Sequence, residues 1–409
     1  MTEFDIVVRS TRVVAPDGVR PASVAVRDGR IEAVGPYDAP VSAAEETDLG
    51  GVALLPGAVD LDTGVHVPGQ DLAEAYRRVG RAALRGGVTS VVASPAPARP
   101  AITCADALHV HQRAAAGLPV SVYFLGGVTR GTGPLDLADL QAAGVVGFRG
   151  SLSDGGAPDM AALSDARLRK SMAEIAALDS VLLVHAEDAD ELGTPAVSAE
   201  RRPPRAERRG LERVIAAARV VGARTHVCPF SAAECAALLA AAGSIGVALT
   251  AHSCAHYLCL PAEALRPDSP AHACRPPVRS EANRKALWSA VLSEDSAITT
   301  AGSGHLPANG LHTLEWNLSA LWTAATRRGL GLADLARWTS RAPAELVGLT
   351  GKGRIAAGCD ADLVAFDHLR GNTVPMEDPS PYAGRELTGG VGPVWVMGRR
   401  APQDPDKSA

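Results

Sequence analysis

Aromatic residues make up only 4% of the 409-residue chain, and lysine is confined to Lys170, Lys285, Lys352 and Lys407, so arginine supplies nearly all of its 40 basic side chains. No basic block with interleaved aromatics occurs and the formal charge is -5, so a nucleic-acid partner is not expected. The seven cysteines are odd in number and include no CxxC pair, which argues against a disulfide framework and fits a reducing compartment, with most thiols serving as small buried hydrophobes. Long apolar runs are missing too. The stretch from Cys235 to Ala251 is broken by Gly243, Ser244, Gly246 and Thr250, and reads as helix, turn and strand, not as a membrane span. Glu3 and Asp5 stand where a signal peptide carries basic residues, so a cytoplasmic location is expected.

What is present is a globular balance of 46% hydrophobic and 21% charged residues. Near the N-terminus, Phe4 to Arg9, Val24 to Arg27 and Ile31 to Val34 alternate as strands around the Asp28-Gly29 turn. From Leu54 the pattern becomes apolar strand, loop and amphipathic helix in repetition. Strands are expected at Leu54 to Leu61, Val88 to Ala93, Val120 to Phe124, Gly144 to Phe148, Val181 to His185, Arg224 to Val227, Ile245 to Thr250 and Ala297 to Ala301, with helices near Cys104 to Ala115 and Leu135 to Ala142. Eight such units predict an α/β fold, a (β/α)8 TIM barrel, with a doubly wound open sheet as the alternative. Short strands return at Gly353 to Ile355, Ala361 to Phe366 and Val394 to Arg399. The expected organisation is therefore residues 1–53 and 349–409 as one composite small β-sandwich domain, bracketing a barrel at 54–348, with a frayed polar tail from Pro402. The Arg201-Arg202-Pro203-Pro204-Arg205 tract reads as a solvated loop.

At Leu54-Leu55-Pro56-Gly57-Ala58-Val59-Asp60 the chain resembles the barrel start of the cyclic amidohydrolases, the family of dihydroorotase, hydantoinase and allantoinase. The likeness continues nearly end to end through Gly86 to Ser90, Ala143 to Phe148, Leu183 to Asp188, Ala255 to Leu258, Pro276 to Arg279 with Asn283-Arg284, Ala342-Pro343-Ala344 and Gly358 to Val364. Ser380 to Leu387 and the opening Phe4 to Val34 look most like allantoinase. The resemblance implies a binuclear metal centre held by two histidines ending the first strand, a carboxylated lysine on the fourth, histidines on the fifth and sixth, and an aspartate on the eighth. At the matching positions stand Asp62 and Gly64, Arg149, His185, Pro229 and Gly304. Only His185 is retained. A guanidinium cannot be carboxylated and repels cations, and glycine and proline side chains offer no donor.

No metal is therefore expected as cofactor; the alternative is one divalent ion such as zinc held by Asp62, His66, His185 and His252. His226, three residues before Pro229, should point to the opposite face and be helix-facing or structural. Asp62 and Arg149 are expected to form an ion pair, bidentate in the favourable case, in the space the metals would fill. Arg149 would orient a carbonyl or carboxylate, and His185, His66 or His305 would act as general acid or base. His252, Arg275, Ala96 and His256 are the substrate-side candidates, Ala96 standing where the family has an asparagine; Asp60, Glu187 and Asp188 are expected to organise strand ends. The expected reaction is metal-free cyclisation, ring opening, elimination or isomerisation of a cyclic amide, ureide or related metabolite by a homodimer or homotetramer. The alternative is a non-catalytic subunit of a partner enzyme.

Overall fold

The computed structural model describes residues 4–154, 160–193 and 199–402. Strands β1 (Phe4–Ala15), β2 (Gly18–Arg27) and β3 (Arg30–Gly35) form an antiparallel meander, β4 (Ala43–Asp48) runs parallel to β1, and β5 (Ala53–Pro56) joins the same sheet. Asp28 and Gly29 both have positive φ, 49° and 75°, the conformation a two-residue hairpin turn requires.

A parallel ring follows: β6 (Ala58–Thr63), β7 (Val88–Ala93), β8 (Ser121–Gly127), β9 (Gly147–Ser151), β10 (Leu182–His185), β11 (Thr225–Val227), β12 (Leu249–Cys254) and β13 (Ile298–Gly302), each paired with its predecessor. Helices cross between them. The first, Leu72–Arg85, is capped by Asp71, whose carboxylate accepts from the Glu74 N–H, and it buries Ala75, Tyr76, Val79 and Ala83 along one stripe against the barrel. The chain then returns through β14 (Leu363–Thr373), β15 (Glu386–Val396) and β16 (Arg399–Arg400), and β14 pairs with β5. The two chain ends thus share one sheet, ordered β16-β15-β14-β5-β1-β2-β3, around a core that includes Val8, Val24, Ile31, Leu54, Leu363 and Trp395. Lys352, buried at its base, bonds Asp362 and reaches Ser121 at the start of β8, tying the sheet to the barrel end opposite the site.

Several local expectations are corrected. The apolar run Leu54 to Leu61 is two strands, because the chain turns at Gly57 from the small sheet into the barrel. A Cβ at Gly57 would lie 2.1 Å from Thr89 Oγ1, so only glycine allows that close passage. The seventh barrel strand begins at Leu249, not Ile245: Ile245 caps the helix Ala236–Ser244 and Gly246 adopts φ 81°, a left-handed turn that delays the strand. The fourth strand likewise starts at Gly147, after Gly144 with φ 107°, which places Arg149 inside the strand. Gly353 to Ile355 is a turn, not a strand. Arg202 is not solvated. It is buried against Glu187, and the helix Pro204–Val221 begins two residues later. The expected frayed tail falls on residues 403–409, outside the described residues.

Candidate active site

The C-terminal ends of the barrel strands surround a cavity of ≈ 890 Å³. Asp62 enters it from β6, Arg149 from β9 and His185 from the end of β10. Pro229 and Gly304 line it just beyond β11 and β13, the loops contribute His66, Ala96, Arg99, Arg275 and His305, and the short helix Ala255–Cys259 contributes His256.

Asp62 has φ 56°, and the β6–β7 register shifts between Asp60 and Thr63. Aspartate tolerates this left-handed conformation better than most residues, and such a bulge re-aims side chains at a barrel rim. Here it brings the carboxylate to Arg149. Arg149 Nε donates to Asp62 Oδ2 at 2.7 Å, as the sequence predicts, but the pair is not bidentate. Asp62 Oδ1 and Arg149 Nη1 are both buried without a hydrogen-bond partner. Burial works against the Arg149 charge, yet Asp62 outweighs it and holds the guanidinium protonated. The Cys228 thiol lies 3.9 Å from Asp62 Oδ2, and burial together with that carboxylate pushes its pKa well up, so it stays a neutral wall.

The histidines differ in what they present. His185 Nε2 bonds Glu187 Oε2 at 2.9 Å, and Arg202 clamps both Glu187 oxygens from the other side. Burial alone would raise the Glu187 carboxyl, but His185 and Arg202 hold it below its ordinary value, so it is an acceptor. In a neutral ring that contact places the His185 proton on Nε2, toward Glu187, and leaves Nδ1 as the acceptor nitrogen. His305 Nδ1 accepts from the Thr313 N–H at 3.1 Å, so its proton sits on Nε2. Burial depresses His305 to about 3. His256 also falls to about 3 by burial; it donates to the Ser303 carbonyl and has Nδ1 buried and unpartnered. Burial and the Arg99 charge lower His66, which sits half-buried on a loop.

Two of the predicted histidines are placed differently. His252 does not line the cavity. The late start of β12 puts it within the strand, its Nδ1 at 2.9 Å from Thr300 Oγ1, and Cys254 takes the rim position instead. His226 is structural but not helix-facing. It is buried inside the barrel between Thr250 and Thr300, because Pro229 lies beyond the end of β11 and strand alternation cannot be counted back from it. His252 being beneath the floor, the four residues of the single-metal alternative do not share a lining. Among the described residues, no three His, Cys, Asp or Glu side chains gather in a way that could hold a metal ion. Sequence reasoning missed Arg99, which lines the mouth, and Arg202, whose pairing with Glu187 was hidden by its proline-rich setting.

An eight-stranded parallel barrel with a cavity at its C-terminal mouth, joined to a small sheet from both chain ends, defines an amidohydrolase-type barrel protein. The chain belongs to the amidohydrolase family, whose model matches residues 53–401. It is 37% identical to an allantoinase of Streptomyces avermitilis over 436 aligned positions, covering 99% of this chain and 97% of that protein. An allantoinase of Rubrobacter xylanophilus is 34% identical, with 98% and 94% covered. Among solved structures, the L-hydantoinase (dihydropyrimidinase) of Arthrobacter aurescens superposes with a TM-score of 0.89 at 27% identity, covering 98% of this chain and 96% of that one. No helix of the described residues is long and apolar enough to cross a membrane.

Proposed function

We propose that this chain acts on a cyclic amide, a ureide or a related small metabolite at the barrel mouth, with Asp62 and Arg149 in place of the family's two-metal centre. The observation that carries the reading is the incomplete ion pair. One buried acceptor, Asp62 Oδ1, and one buried donor, Arg149 Nη1, stand unpartnered on two residues that line the cavity. A buried unpaired polar atom costs about 1–3 kcal/mol, so a ligand that satisfies both recovers that cost on binding. The adjacent N–H and C=O of an amide or ureide have the required complementarity.

The residues present do not fit the binuclear centre that the family implies. The Arg149 cation stands at the bridging-lysine position. At the Gly304 position a Cβ would approach His256 Cε1 to 2.5 Å and Cys254 Sγ to 2.7 Å, and at Gly64 it would approach Leu306 Cδ1 to 2.8 Å. Neighbouring side chains already fill the space that ligating side chains there would need. That close packing favours a rebuilt site over an eroded one, and the open cavity with unmatched polar atoms speaks against a purely structural subunit.

In this reading Arg149 Nη1 polarises the substrate carbonyl, Asp62 Oδ1 holds the neighbouring N–H, and His185 Nδ1 exchanges the proton. Ring closure of a ureide nitrogen onto an aldehyde or ketone carbonyl balances without water or metal: the nitrogen lone pair forms the N–C bond, the N–H bond breaks, and the carbonyl π pair takes up that proton through His185 as the new O–H bond, giving a hydroxylated ring. Opening of such a hydroxylated ring is the same path reversed. The test is turnover by metal-depleted protein on a panel of cyclic amides, ureides and their open forms, followed by NMR, with metal content measured in parallel. Conversion without metal, abolished in Arg149→Ala and His185→Ala, is expected. About one or two equivalents of bound metal, whose removal abolishes turnover, would overturn the reading.

A further inference from the structure

Among the described residues, the charged side chains of the cavity lining are Asp62, Arg99, Arg149, Asp154 and Arg275, three cations against two anions, while the chain as a whole carries -5. Asp62 is committed to Arg149. Asp154 is exposed and has a partner of its own. That leaves Arg99 and Arg275, neither with a hydrogen bond or ion pair among the described residues. Several half-buried arginines elsewhere are paired with carboxylates, Arg213 with Asp165 and Asp188, Arg284 with Glu281 and Arg279 with Glu207, while Arg328 and Arg385 bond backbone carbonyls instead; Arg275 has neither kind of partner among the described residues.

Arg275 is half-buried between the buried Cys274 and Pro276, so its backbone is held and its charge partly desolvated. Arg99 is exposed at the cavity mouth beside buried Ala98, and its charge contributes to the depression of His66. The lining histidines His256 and His305 are neutral at physiological pH and add no competing charge. Arg275 is thus a half-buried cation without a counter-ion and Arg99 an exposed one free to reach over the mouth, and guanidinium forks are suited to planar oxyanions.

The geometry points to a substrate that carries a carboxylate, held at the mouth by Arg99 and Arg275 while its amide or ureide group meets Asp62 and Arg149. This rests on the reading of the site given above and narrows it to an anionic substrate class. It also explains why the mouth can be cationic on a protein of net negative charge: the local field draws an anion in and orients it carboxylate-outward.

Calorimetric titration of the full chain with two probes sharing one ring, hydantoin and hydantoin-5-acetate, tests it. The carboxylate is expected to tighten binding by about 10- to 100-fold, as two charge-assisted contacts allow, and the gain should shrink as salt is raised. Arg99→Gln and Arg275→Gln, checked for unchanged melting temperature, should each bring the anionic probe toward the affinity of the neutral ring. Equal affinity of the two probes, with both sensitive to Arg149→Ala, would overturn the anionic class while leaving the reaction centre standing. Insensitivity of both probes to Arg149→Ala, or binding by neither, would overturn the reaction-centre reading and this inference with it. Inorganic phosphate bound through Arg99 and Arg275 in preference to the carboxylate probe would also overturn the assignment, in favour of a phosphorylated ligand.

Discussion

Asp60 and Ser303 join the first and last barrel strands. The Ser303 N–H donates to Asp60 Oδ1 at 2.7 Å, its hydroxyl donates to Oδ2 at 2.7 Å, and Thr63 Oγ1 adds a third bond at 2.7 Å. Among the described residues no ladder pairs β6 with β13, so a buried carboxylate two residues before Asp62 holds the seam.

Asp60→Ala should therefore strand two buried donors at once, the Ser303 N–H and hydroxyl, while the Thr63 hydroxyl keeps the carbonyl of residue 60. The expected loss is about 3–5 kcal/mol in urea unfolding, larger than for an ordinary surface substitution. A loss below about 1 kcal/mol would mean that the seam is held by other contacts.

Breaking the ion pair from one side should cost more than removing both partners. Arg149→Met leaves the Asp62 carboxylate buried and unpaired, which should destabilise the fold by about 3–5 kcal/mol. Adding Asp62→Asn, which removes the charge and tolerates the left-handed backbone at this position, should recover most of that loss, with no activity returning. A double-mutant cycle in urea measures the coupling, and additive effects would show the pair contributes little.

Acid should weaken the fold through its buried histidines. His256 and His305 are each depressed by burial to about 3, so the unfolded chain takes up protons from about pH 6.5 downward while the native state does not. Stability is then fully present above about pH 6.5 and falls by up to about 1.4 kcal/mol per pH unit for each histidine until the folded values are reached. Urea midpoints at pH 7.5, 6 and 5 should decline in that order, and His305→Gln should flatten the slope. A midpoint unchanged between pH 7.5 and 5 would contradict this.

Restoring an acidic side chain at the eighth-strand position should not restore a metal site. Gly304 has φ 60° and its Cβ position is occupied by His256 and Cys254, so Gly304→Asp combines backbone strain with overpacking. The expected cost is about 2–4 kcal/mol, with no gain in bound zinc by elemental analysis. A variant of unchanged stability that binds zinc stoichiometrically would show that the neighbours yield readily.

Much of this was legible in the chain itself. Strand-loop-helix repetition specifies the barrel because an apolar strand followed by an amphipathic helix has few other ways to bury both. The alternating ends pair because β5 and β14 each expose an edge the other covers. The positions of Asp62 and Arg149 on the first and fourth strands foretold their meeting, since strand ends converge on one mouth. What sequence could not reveal depends on single residues acting through contacts distant in the chain. Gly57 and Gly246 move strand starts by a few residues, and that shift decides that Cys254, not His252, reaches the cavity. Arg202 looks like part of a solvated basic tract until the fold brings Glu187 to it. Whether Asp62 would satisfy Arg149 with one oxygen or two was decided by a left-handed turn at Asp62. Periodicity and side-chain chemistry are local and survive in a one-dimensional reading. Register, partner geometry and the atoms left without partners exist only once the strands are packed into a ring.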